Sequence, residues 1–170
     1  MPLRLLLFVL CLSSSLFVFG QVPVESFYGK WQTRQVVSAD GDSSYSYYKR
    51  DSLKMLLVEE ELQSARDENI PYGQDDSIRL TKQIEDMLTV MFETTYHFKE
   101  NNVLTLNTFT FQEGNEAVTV DGSYTYNAVE KSLILTVNTS PLPLLILEMS
   151  GNTLVVNDDK GNKIYFVKVE

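Results

Sequence analysis

Two hydrophobic periods divide this chain. Between residues 51 and 67, Leu53, Leu56, Leu57 and Leu62 fall mostly at helical spacing, with Glu59, Glu60 and Glu61 among them. Between residues 75 and 92, Ile84, Leu88 and Met91 make a second stripe, with Ile78 before it and Met87 alongside. Ile70-Pro71-Tyr72-Gly73 breaks the pattern between the two. Asp51 is placed to cap the first helix, and Asp75 and Asp76 stand where the dipole of the second favours carboxylates. The spacing predicts a helical hairpin over residues 51–92.

From residue 95 onward the period is two. It predicts strands at 95–99, 103–111, 117–127, 132–137, 142–149, 153–157 and 163–169, and Tyr28 to Val37 reads as a first strand. The connections are short and rich in Gly, Asn and Asp, as at Ser150-Gly151-Asn152, so sequential strands should pair as hairpins. Tyr45, Tyr47 and Tyr48 carry no clear period. Eight meandering antiparallel strands close naturally into an up-and-down barrel, because closure removes both exposed edges. The expected fold is therefore mainly β: an eight-stranded antiparallel barrel with the helical hairpin inserted between strands 1 and 2. In the last strand Ile164, Phe166 and Lys168 face one way and Tyr165, Val167 and Val169 the other, and residues 141–147 are likewise apolar on both faces. Strands of that kind are covered on both sides; the helices are the available cover.

The first residues change the picture. Arg4 precedes an apolar run, Leu5 to Phe19, that ends at Gly20. The run is too short and too terminal for a membrane span, and it reads as a signal peptide over residues 1–20. The domain expected to fold is 21–170. Cys11 follows Leu10 rather than a small residue, so it makes a poor lipidation site. Removing the leader also removes the only cysteine, so stability rests on packing without a disulfide even in an oxidising compartment. The expected destination is periplasmic or extracellular. The formal net charge is −9, and loss of Arg4 takes it to −10. Such acidity argues against nucleic acid and anionic membrane surfaces as partners and favours solubility.

Candidate chemistry is sparse. With one histidine, His97, and no Gly-x-Ser-x-Gly turn, nucleophilic catalysis has no readable machinery. One histidine and no mature cysteine leave no zinc set, and Asp40-Gly41-Asp42 and Asp158-Asp159 do not match a calcium loop. No metal, cofactor or catalytic residue is expected, and the chain is read as a non-enzyme. Glu148 continues the alternation of Leu142, Leu144 and Ile146, which would turn it inward, although the barrel rim suits a carboxylate better. Asn138-Thr139-Ser140 matches a glycosylation sequon by pattern alone and reads as a loop.

Phe27-Tyr28-Gly29-Lys30-Trp31 places Gly-x-Trp at the start of the first strand. The run Phe98-Lys99-Glu100-Asn101-Asn102-Val103-Leu104-Thr105-Leu106 is followed by Gly122-Ser123-Tyr124-Thr125-Tyr126. With the strand count and the leader, these residues resemble the lipocalins, in particular the small lipocalin-like domains of secreted bacterial proteins. The likeness spans Phe27 to Val169 apart from the insert. It implies that Trp31 closes the bottom of the barrel, that Gly29 lets the chain enter tightly, and that the insert lies over the open mouth. Lipocalins usually place an arginine after the last strand to stack on the tryptophan, and the nearest basic residue here is Lys168. Their Thr-Asp-Tyr motif and trailing helix are missing.

The residues expected to line a barrel cavity are Trp31, Leu104, Leu106, Phe109, Phe111, Tyr124, Tyr126, Leu133, Leu135, Leu144, Ile146 and Phe166. An eight-stranded interior is either just filled by side chains or holds one small ligand. Two functions follow. One is a carrier of a small hydrophobic molecule, which needs a cavity of roughly 300 Å³ under the hairpin. The other is an interaction or structural module whose barrel core is solid.

Overall fold

A computed structural model describes residues 22–110 and 116–170; the expected leader and Phe111 lie outside them. The elements are β1 (Gly29–Val37), β2 (Ser44–Ser46), α1 (Arg50–Asp67), α2 (Gln74–Glu93), β3 (Thr95–Phe98), β4 (Val103–Phe109), β5 (Ala117–Asn127), β6 (Ser132–Val137), β7 (Ser140–Ser150), β8 (Thr153–Asn157) and β9 (Lys163–Lys168). A single 3-10 turn, Val24–Phe27, precedes β1.

The nine described strands form one antiparallel sheet in the order β2-β1-β3-β4-β5-β6-β7-β8-β9, and β1 also pairs with β9. That last pairing, from Trp31↔Lys168 to Val37↔Lys163, closes a barrel whose wall is eight strands. The ninth, β2, was not readable from its own three residues. Its reason is tertiary: β3 covers the β1 edge only from Gly29 to Gln32, and β2 takes up the same edge at Gln35, Val36 and Val37. It satisfies backbone groups that the short β3 would leave bare. The helical hairpin therefore follows β2 rather than β1 directly.

Two irregularities reset the alternation of side chains. A register shift between Thr33 and Gln35 inserts Arg34 as an extra residue in β1. Its guanidinium lies 4.3 Å from the centre of the Tyr47 ring, at the foot of the hairpin. A second shift, between Ile146 and Glu148, flips β7 so that Met149 joins the core and Glu148 is exposed. The uninterrupted alternation that would have turned Glu148 inward thus ends at the bulge.

The helices sit on one end of this wall. Leu53, Leu88 and Phe92 make a second, smaller core with Tyr45, Tyr47, Leu57, Ile84 and Met91 packed around it. Arg50 ties the two helices, reaching both Glu93 and Thr89 on α2. At the start of α2 the Asp76 carboxylate, expected there only for the helix dipole, also accepts the Gly73 N–H at 3.1 Å. At its end only Thr94 separates the helix from β3, so α2 runs straight into the barrel wall and is held over one opening. Among the described residues no helix is long and apolar enough to cross a membrane.

Candidate functional site

The two ends of the barrel differ. One end is plugged. Trp31, at the start of β1, has no solvent exposure, and its indole N–H donates to the Phe27 carbonyl at 2.6 Å. Phe27 meets Tyr126 edge-on at 4.9 Å, and Phe98 meets Tyr124 at 5.0 Å. The Tyr124 hydroxyl donates to the Lys99 carbonyl at 2.9 Å and so pins the turn between β3 and β4. Leu104, Leu133, Leu154 and Val156 fill the remaining space. Lys168, opposite Trp31, holds its ammonium 5.5 Å from the centre of the Trp31 ring. A lysine here occupies the place where the lipocalin likeness implied an arginine, and it makes a cation–π contact of the same kind.

Both motif glycines belong to this end. Gly29 has φ +117°, and a Cβ on it would stand 2.6 Å from the Glu170 carbonyl and from Lys168 Cε. A Cβ on Gly122 would run into the Thr136 carbonyl of the next strand. Each lets two backbones, or a backbone and the plug, approach more closely than an L side chain permits.

The other end is hollow. A cavity of about 320 Å³ lies between the upper barrel wall and the last turns of α2. Val90 and Met91 of α2 form its roof. Leu135, Leu142 and Leu144 on β6 and β7, with Ile164 and Phe166 on β9, make an apolar wall. Val36, Leu106 and a band of hydroxyls (Thr33, Thr94, Tyr96 and Thr108) make the facing wall, on β1, on β4 and where α2 enters β3. Leu142 is 40% exposed, so the cavity reaches the surface beside it. Tyr96 and Phe166, edge-on at 5.3 Å, form its floor; a void of about 10 Å³ lies beneath them before the plug begins.

The expected lining residues divide between these two ends. Leu106, Leu135, Leu144 and Phe166 face the cavity. Trp31, Leu104, Tyr124, Tyr126, Leu133 and Ile146 face the same interior, but in or around the plug. Phe109 is half-buried on the opposite face of β4, because the inward series there runs Leu104, Leu106, Thr108. Phe111 lies outside the described residues. The cavity residues that the sequence reading passed over are chiefly threonines and Tyr96. Their signal was parity: Thr33 continues the series of Trp31, and Thr108 that of Leu106.

Charge stays outside. The lining includes no Asp, Glu, His, Lys or Arg. His97 pairs in register with Lys30 and Thr105 on the outer wall. Partial burial, and then the nearby Lys99 and Lys30 charges, lower its pKa from the ordinary imidazole value. Burial raises the pKa of Tyr96, which keeps its phenol protonated. Among the described residues no three His, Cys, Asp or Glu side chains cluster as a metal site.

An eight-stranded meander, closed on itself, plugged by a tryptophan at one end and roofed by helices at the other, is a lipocalin-like barrel. In solved structures the chain is similar to a lipocalin-like protein from Bacteroides uniformis, with a TM-score of 0.49 and 13% identity over 84% of this chain and 98% of that one. It is also similar to a DUF4847 family protein from Bacteroides vulgatus, at 0.49 and 11% identity over 85% and 96%. A third, uncharacterized protein from Bacteroides eggerthii gives 0.47 and 11% over 84% and 98%. No protein-family model and no curated protein matches the sequence. The fold rests here on the strand pairing itself.

Proposed function

We propose that this protein is an exported, non-enzymatic carrier that holds one small hydrophobic molecule in the cavity beneath α2. The cavity itself carries the reading: about 320 Å³ of mostly apolar space, at the lower end of the range of small-molecule sites, in a barrel whose other end is packed tight. A filled scaffold would have no reason to leave that end hollow, since unfilled apolar volume costs stability. The lining supplies no base or nucleophile pair, and His97 faces the other way, which supports binding rather than turnover. Export is supported by the leader pattern at residues 1–20.

The test is a neutral fluorescent apolar dye, Nile red, titrated into the purified protein. One dye per protein should bind, and Val36→Trp, which fills the cavity from β1, should abolish it. Equal binding by both proteins, or no binding by either, would end the carrier reading.

A further inference from the structure

The cavity is not uniformly greasy, and its polar side has a definite inventory. Thr94 and Thr108 occupy each other, Oγ1 to Oγ1, at 2.8 Å. The hydroxyls of Thr33 and Tyr96 enter none of the side-chain hydrogen bonds of the described residues. Neither is sealed off: the buried, unpartnered side-chain atoms among the described residues are Arg34 Nη1 and Asn157 Oδ1. Both Thr33 and Tyr96 are inward residues of the barrel wall and line the cavity. Trp31 and Tyr96 are cross-strand partners, which places Thr33 one inward step above Tyr96 on the adjoining strand. Contact with the Phe166 ring holds Tyr96 in place.

Resting on the carrier reading above, we propose that the cavity selects an uncharged apolar molecule bearing one hydrogen-bonding group, a hydroxyl or carbonyl, received by the Tyr96 and Thr33 hydroxyls, and that it rejects carboxylates. Seated against them, an apolar ligand with no polar group would leave both hydroxyls without a partner, and a covered polar group without a partner is unfavourable. An anionic ligand would bring a charge into a lining that offers no cation, inside a protein of net charge −9. The phenol stays protonated across the physiological range because burial raises its pKa, so it can donate to a carbonyl or accept from an alcohol.

Octan-1-ol, octanoate and octane, titrated separately at pH 8 and followed by amide chemical shifts of cavity residues, separate the alternatives. Octanol should bind one to one, and octanoate on the order of tenfold more weakly, the gap closing as acid protonates the carboxylate. Tyr96→Phe should weaken octanol about fivefold relative to octane, with Thr33→Val acting in the same direction. Octanoate binding as tightly as octanol at pH 8, or an octanol-to-octane ratio unchanged in both variants, overturns this inference and leaves the carrier reading standing. If no probe moves a cavity resonance, the carrier reading fails and this inference falls with it.

Discussion

The plugged end and the hollow end of this barrel are built from the same eight strands. What separates them is the residue type at each inward position. Toward the plug the inward series carries Trp31, Phe98, Tyr124 and Leu133, and the gaps between rings are closed by Phe27 from outside the sheet. Toward the mouth the same series carries Thr33, Thr108 and Val36, whose short side chains cannot meet across the barrel. Small residues at inward positions therefore leave volume, and α2 roofs that volume instead of filling it. One sheet thus holds a filled end and a hollow end, and short inward side chains at Thr33, Val36 and Thr108 are part of what separates them.

The sharpest way to break this division is to attack the plug. Trp31→Ala removes a fully buried indole and leaves the Phe27 carbonyl without its donor, so it should cost about 4–5 kcal/mol. Chemical denaturation read by circular dichroism measures it; a loss below about 2 kcal/mol would mean the plug is not the stabilising end. A matched pair sharpens the contrast. Leu133→Ala, fully buried near the plug, should cost about 3–4 kcal/mol, whereas Leu142→Ala, 40% exposed at the mouth, should cost about 1 kcal/mol. Equal costs would erase the distinction between the two ends.

The tyrosines repeat the comparison on a smaller scale. Tyr124→Phe deletes a hydroxyl that satisfies the Lys99 carbonyl, and should cost about 1 kcal/mol. Tyr96→Phe deletes one that serves no protein partner, and should change stability by less than about 0.5 kcal/mol in the absence of ligand. Parallel urea titrations of the two variants decide the point. A Tyr96→Phe loss as large as that of Tyr124→Phe would show that the Tyr96 hydroxyl is structural.

The same division marks how much could be read from the sequence. Regular alternation and turn chemistry were enough for the eight wall strands and the hairpin, because Gly151, Asn152 and the residues like them stop strands for local reasons. At the plug, the likeness carried by Gly29-x-Trp31 implied that Trp31 closes the barrel, whereas Tyr124, Tyr126 and Leu133 were expected to line a cavity and instead pack in the core. β2 was not legible, since three residues pair only because β3 stops short. Nor were the two bulges, since an extra residue in a strand leaves no mark in composition yet exposes Glu148. The cavity was the least legible. A list of large apolar inward residues mixed the filled and hollow parts, with Leu106, Leu135, Leu144 and Phe166 in the lining and the others around the plug, while the threonines of the lining read as ordinary polar positions.

The smallest effect expected lies on the outer wall at the plugged end, where His97 faces Lys30 across the β1–β3 pair. Partial burial and the Lys99 and Lys30 charges hold its folded-state pKa below the ordinary value, outweighing the opposing pull of Glu170. The unfolded chain then binds more protons than the folded one as pH falls past the ordinary imidazole value of about 6.5. Stability should therefore rise with pH through that region and decline on acidification below it. The slope should be shallow, because this surface is well solvated and screened. His97→Gln removes the titrating group and should flatten the dependence of the urea midpoint between pH 5 and pH 7.5, leaving the values at the upper end nearly unchanged. Since His97 faces away from the cavity, octanol affinity should not follow this titration. An affinity that tracked it would mean that the outer wall and the hollow end are coupled, against the separation of roles drawn from the packing.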